Sequence, residues 1–317
     1  MFDIIVLGDD MKNLISFLII TAIIVLGFLY HEQIADFVID KIIAPKETTE
    51  YQDNEYAKKS NYSYLQIDDD FFPRNKQDIL NIIYTRLDQG VDQFYFYCED
   101  EYESCIDDVK ELTNDEATLS ELNNFVHPYN SYNKLSITFD SFGKIQVDID
   151  KLYTDEQITV INQKVDEIMN NYISSDMSDE TKIQVIHDYI INTTKYDSEK
   201  ANAIENNQTI SGNYNSQTAY GPLIQGMGIC GGYSDAMAIF LWKMDIPNYR
   251  IASSNHVWNL VNYNNDWYHL DLTWDDPVTS DGSDALIYDF FLITTNQLHN
   301  LDLTEHTYNL DIYKESL

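Results

Sequence analysis

The chain has 317 residues, with 19 Lys and Arg against 53 Asp and Glu, a formal net charge of −34. That balance repels phosphate backbones and anionic lipid headgroups, so nucleic acid and acidic membrane surfaces are poor partners. The carboxylates are spread along the chain, with denser patches at Asp68–Asp70 and Cys98–Asp108, and read as solvated faces. No segment alternates carboxylates around a central Gly as an EF-hand loop does, and no His-Glu-x-x-His or Cys-x-x-Cys spacing supports zinc.

Residues Leu14 to Tyr30 run without charge. Seventeen residues of helix reach about 25 Å, just short of a bilayer core and extendable by tilt or flanking residues. Lys12 precedes the run, and His31, Glu32 and Asp36 follow it, which keeps the N-terminus cytoplasmic and the rest of the chain outside. No small-x-small cleavage site follows, so an uncleaved signal-anchor is expected over a signal peptide. No Cys follows either, which disfavours a lipid anchor. Met11-Lys12 reads as a more natural start than Met1. These features predict a cytoplasmic tip and transmembrane anchor over 1–31 and a single-pass cell-membrane protein with an extracellular body.

A juxtamembrane linker is predicted over 32–60. Ile34, Phe37, Val38 and Ile42 mark a short helix before Pro45, and Lys46 to Ser60 is a polar run. Residues 61–150 alternate helical and extended patterns and predict a small α+β domain. Ile79, Ile82, Ile83 and Leu87 lie at helical spacing, Phe94 to Tyr97 read as a strand, and Leu135 to Ile149 as a hairpin turning at Gly143-Lys144. Three cysteines leave one unpaired. Cys98 and Cys105 form either a disulfide or two buried thiols, and Cys230 is the free one.

From 151 to 317 a second domain is predicted. A helix enters through Thr154-Asp155-Glu156 and carries Ile158, Ile161, Val165, Ile168 and Tyr172 on one face. Another follows a Ser178 cap and carries Ile183, Ile186 and Ile190. His187 lies beside that stripe and reads as structural. The Asn-rich stretch Lys200 to Gln217 reads as a loop bordering a cleft.

Next come Gly226-Met227-Gly228-Ile229-Cys230-Gly231-Gly232-Tyr233 and an amphipathic helix with Met237, Phe240, Leu241 and Met244 on its apolar face. A thiol in the first turn of a helix meets unpaired N–H groups and the positive dipole end, which favour the thiolate. Gly231 and Gly232 leave the backbone bare for a substrate carbonyl to approach the Cys230 N–H. Residues 256–263 and 266–274 are Val-, Trp- and Tyr-rich, and Asn264-Asn265 between them suits a two-residue hairpin. That turn pairs Tyr263 with Asp266, Trp258 with Asp271 and His256 with Thr273, all four of the last named on one face. Asp271 then lies diagonal to His256, about 7–8 Å away by backbone and within reach of an imidazole. Thiol, imidazole and carboxylate are the parts of a cysteine acyl-transfer site.

These segments resemble the transglutaminase-like superfamily. Gly228-Ile229-Cys230-Gly231-Gly232-Tyr233, His256-Val257-Trp258-Asn259 and the strand Trp267 to Pro277 match its motifs, with Val257 standing where bacterial relatives carry a small residue. His187 to Ile190, Ala219 to Leu223 and Tyr288 to Phe291 add to the likeness, which spans roughly 176–317. The resemblance implies an α+β, papain-like catalytic domain in which Cys230 is the nucleophile, His256 the acid and base, and Asp271 the orienting carboxylate. Tyr220 and Gln225 are candidates for a second oxyanion donor, and Trp258 and Trp274 for the cleft wall. It implies no cofactor, and a protein or peptide substrate such as a cell-wall or surface protein. Cross-linking by an amine, peptide hydrolysis and amidase action all use the same triad. A non-catalytic surface binding or assembly module on the same fold is the competing reading.

Overall fold

The structure is a computed structural model and describes residues 20–21, 24–31, 46–140, 142–206, 208, 214–278, 285–301 and 304–317. The chain forms two compact units, residues 1–50 and 51–317. In the first, residues 20–21 and 24–29 are helical, with Ile20, Ile24, Phe28 and Leu29 exposed. The remainder of the expected apolar span, 14–19 and 22–23, lies outside the described residues. So do Ile34, Phe37, Val38 and Ile42 of the expected juxtamembrane helix. Among the described residues no helix is long and apolar enough to cross a membrane.

The second unit is α+β. Its first layer is an antiparallel sheet in the order β1-β3-β2, formed by β1 (Gln93–Tyr97), β2 (Tyr132–Phe139) and β3 (Lys144–Lys151). Three helices belong to the same stretch, α1 (Lys76–Asp88), α2 (Cys105–Asn114) and α3 (Glu116–Phe125). Alternation along β3 buries Ile145, Val147 and Ile149 on one side, the expected signature of a half-covered strand. A disulfide joins Cys98, just past β1, to Cys105 at the start of α2.

The second layer holds α4 (Asp155–Tyr172), α5 (Asp179–Thr193), α7 (Cys230–Lys243) and the antiparallel sheet β6-β7-β8. Thr154 and Gln157 close a capping box on α4, and the Ser178 side chain caps α5, as their sequences predict. The strands β6 (Asn248–Ala252), β7 (Val257–Tyr263) and β8 (Asp266–Leu270) contribute to two cores. Tyr249, Ile251, Trp258 and Leu260 join the core built by residues 62–149, whereas Val261 and Leu270 join the core of α4, α5 and α7.

That shared core bears on the expected domain division. The boundary at 150 falls inside one compact unit, and residues 61–149 pack directly on the second sheet. The linker also extends less far than its polarity suggests. Tyr51 receives the Arg86 guanidinium at 4.6 Å, Tyr56 stacks on His127 at 5.1 Å, and Lys58 donates to the Asn248 carbonyl. Tyr51 and Tyr56 anchor 51–60 together with polar contacts, Asn54 bonding Asn130 and the N–H groups of Lys58 and Lys59 donating to Asp88.

Candidate active site

Cys230 is the first residue of α7 and the free cysteine, half-buried. Three features hold the chain there. The parallel pair β4 (Lys195–Tyr196) and β5 (Met227–Gly228) leads into it, Asp197 N–H donates to the Gly228 carbonyl at 2.9 Å, and Ile229 N–H donates to Ser216 at 2.9 Å. Ile229 is extended at φ −119°, ψ 178°, and α7 opens with no side-chain cap, so first-turn N–H groups lack intrahelical partners beside the thiol.

Gly231 and Gly232 serve a different purpose from the expected one. A Cβ at Gly231 would lie 2.8 Å from the Gln217 carbonyl oxygen, and one at Gly232 would collide with that of Ser216. The glycines admit the 216–217 backbone against the helix start, and they are not bare for substrate.

The hairpin forms as its turn predicts. Asn264 and Asn265 take φ of 54° and 67°, and the ladder pairs Tyr263 with Asp266 through to Asn259 with Leu270. The pairing then stops. Residues 271–276 turn away, so Thr273 does not pair with His256. Asp271 Oδ1 instead accepts the N–H groups of Thr273 at 2.9 Å and Trp274 at 3.2 Å, a side-chain-to-backbone turn typical of Asp.

Asp271 Oδ2 lies 2.5 Å from His256 Nε2. With Nε2 so engaged, Nδ1 is the ring nitrogen left for other partners, and Cys230 is near enough to act on the imidazole electrostatically. His256 and Asp271 are thus hydrogen-bonded to one another, with Cys230 beside His256. Burial alone would lower the proton affinity of His256. The Asp271 carboxylate, followed by Cys230, outweighs it and raises the pKa to about 10. Burial opposes ionisation of Asp271 too, yet His256 and His306 hold its carboxyl well below the usual range.

Cys230 and His256 open onto a cleft of about 860 Å³. Thr273, Trp274, Pro277 and Val278 form one wall, and Ser198, Ala201, Asn202 and Glu205 the other. The second wall belongs to α6 (Ser198–Glu205), a helix where a loop is expected. Asp197 caps it by accepting from Lys200 N–H, and Ala203 is buried, enough to hold an Asn-containing segment helical.

Other expectations change. Trp258 is 1% exposed and does not line the cleft; its Nε1–H donates to His269 Nδ1 at 3.0 Å and its ring stacks under His256. Trp274 does line it. Neither proposed oxyanion donor is among the cleft-lining residues. Gln225 Oε1 accepts from Asn215 N–H, and Tyr220 leads into the wide turn Gly221–Gln225. His187 is buried, with Nε2 at 3.2 Å from Asp275 and Nδ1 at 2.9 Å from Asp188.

His306 escapes sequence reasoning altogether. Its Nε2 lies 2.8 Å from the same Asp271 Oδ2, yet Glu305-His306-Thr307-Tyr308 matches no motif and no periodic pattern. His256, Asp271 and His306 offer three metal-ligating atoms within 4.8 Å of one another. Donors on a tetrahedral zinc stand about 3.3 Å apart at bond lengths near 2.0 Å. Contacts of 2.5 and 2.8 Å are those of hydrogen bonds.

No family model matches the chain, and no curated protein matches it. Solved structures do. A TGase crystal structure is 17% identical with a TM-score of 0.35, over 45% of this chain and 44% of that one. An inferred cysteine protease from Cytophaga hutchinsonii is 13% identical with a TM-score of 0.27, over 49% and 65%. The chain spans less than two thirds of the length of each. It is similar to a TGase and to a cysteine protease-like protein over about half of its own length.

Proposed function

We propose that the chain is a cysteine acyl-transfer enzyme acting on protein or peptide amides, with a papain-like, transglutaminase-like catalytic region. The observation that carries this reading is that Cys230 and His256 line one cleft while the buried Asp271 carboxylate holds His256 from behind. The Cys230 thiolate attacks the amide carbonyl carbon. His256, protonated, gives its Nδ1 proton to the leaving amine as the tetrahedral intermediate collapses to a thioester. Asp271 keeps the imidazole oriented and balances its charge. An incoming amine or water then loses a proton to His256 and releases the acyl group.

The exposed apolar helix of residues 24–29, inside the uncharged run Leu14 to Tyr30, supports a single-pass membrane anchor. The disulfide between Cys98 and Cys105 supports an extracellular location for the body, where thiols are oxidised. Substrates would then be cell-wall or surface proteins.

The test compares the full chain with Cys230→Ala on a mixed protein substrate with a labelled primary amine, read by peptide mass spectrometry. Amine-adducted glutamines in the wild type alone identify cross-linking chemistry. New peptide termini or deamidated glutamines alone identify hydrolysis. Identical products from both proteins over a broad substrate panel would sink the enzymatic reading and leave a surface binding module.

A further inference from the structure

We propose that His306 is a positioning residue of the site, a second imidazole that shares the Asp271 carboxylate with His256 and sets how strongly that carboxylate holds it. The inference rests on the acyl-transfer reading for its importance, but its geometry stands apart from any substrate.

Both imidazoles approach the same oxygen. His256 Nε2 lies 2.5 Å and His306 Nε2 2.8 Å from Asp271 Oδ2, while Oδ1 takes the two backbone N–H groups. Each nitrogen donates to the carboxylate, so four donors converge on one group. A carboxylate oxygen that accepts a second donor has less negative density for the first. His306 therefore stabilises ionised Asp271 and at the same time weakens its grip on the His256 proton.

The placement of His306 is held from every side. The ring is 1% exposed, lies parallel to Phe290 at 5.1 Å, and meets the rings of Trp258 at 4.7 Å and Trp274 at 5.0 Å edge to face. It stands at 79° to the His256 ring. The bridge between Ser253 and Tyr308 ties its segment to the chain just before His256. The buried Nε2–H needs an acceptor, and the one it takes is the carboxylate oxygen that already holds His256.

The groups facing this cluster enter the pH behaviour. They are Cys230 on α7, His269 on β8, Asp275 in the following turn, and Tyr196 and Glu305 near the cleft. All remain in the variants below.

The test follows alkylation of Cys230 by a neutral haloacetamide, read at the Cys230 peptide by mass spectrometry; it needs no substrate, and Cys98 and Cys105 are joined and do not compete. Rates are measured against pH in the full chain for wild type, His306→Phe and His306→Gln. Phe keeps an aromatic ring without a donor, and the Gln amide nitrogen reaches the place of Nε2. With His306→Phe the alkaline break assigned to His256 should move up by about half a pH unit or more, as expected when a charge-assisted donor is lost. His306→Gln should restore it. The same break in all three proteins overturns the proposal, and so does an equal displacement in Phe and Gln, which indicates packing alone. Should His306→Phe not fold, the Gln variant is compared with His306→Leu and with wild type, and an unshifted break in Leu is equally fatal. Failure to find a substrate leaves this measurement intact, so the two readings fail separately.

Discussion

Asp271 holds His256 with one carboxylate oxygen while the other takes the N–H groups of Thr273 and Trp274. Its position is thus set by its own turn and not by the ladder, which has ended at Leu270. Asp271→Asn retains the size of the side chain but presents a neutral amide to His256. Turnover should fall by about tenfold or more, as expected when a charge-assisted hydrogen bond of about 1.5–3 kcal/mol becomes a neutral one. Parallel kinetics on the substrate found for the wild type check this, with circular dichroism confirming the fold.

The sign of the pH dependence follows from the same pair. His256 is raised from 6.5 to about 10 in the folded chain. Its stabilisation is complete below pH 6.5 and is lost as pH rises towards 10. Asp271 is depressed, so its contribution is present above the ordinary carboxylate range and is lost only in strong acid. The Tm difference between wild type and His256→Phe should therefore shrink between pH 6.5 and 10. A constant difference across that range would show that the imidazolium does not stabilise the fold.

Gly232→Ala forces a methyl against the Ser216 carbonyl, which is backbone and yields little. Overpacking of this kind costs about 1–3 kcal/mol. Because 216–217 also bonds Ile229, the alkylation rate of Cys230 should change along with the urea midpoint.

Arg250 forms a buried ion pair with Asp235 and also donates to the Asn123 carbonyl and to Ser131 Oγ at 2.8 Å. Arg250→Met strands the Asp235 charge, a loss of about 3–5 kcal/mol. Adding Asp235→Leu should recover part of it, read by chemical denaturation of the single and double variants.

Removing the disulfide with Cys98→Ser and Cys105→Ser should lower stability by about 2–3 kcal/mol, given the short loop it closes. Alkylation of Cys230 should be unchanged, since neither Cys98 nor Cys105 lines the cleft onto which Cys230 opens. A coupled loss of Cys230 reactivity would contradict that separation.

Much of the site is legible in the chain because its pieces are local. Cys230 stands at the boundary between a Gly-rich stretch and an amphipathic run, and a helix start there follows from periodicity alone. Asn264 and Asn265 tolerate positive φ, which sets the register from Tyr263 to Asn259; Asp271, one residue past the end of that ladder, is placed by its own turn. Tertiary packing decided the rest. Gly231 and Gly232 answer to Ser216 and Gln217, a close approach with no local signature. Trp258 goes under His256 because residues 62–149 cover its face of the sheet, so a ring that suits a cleft wall becomes core. His306 lies 35 residues beyond Asp271 and reaches it only when the segment after α8 (Thr295–Leu301) folds back over the hairpin end. Periodicity reports which face of an element is buried; it carries no information on which distant segment does the burying, and that contact is what placed the second imidazole on the carboxylate.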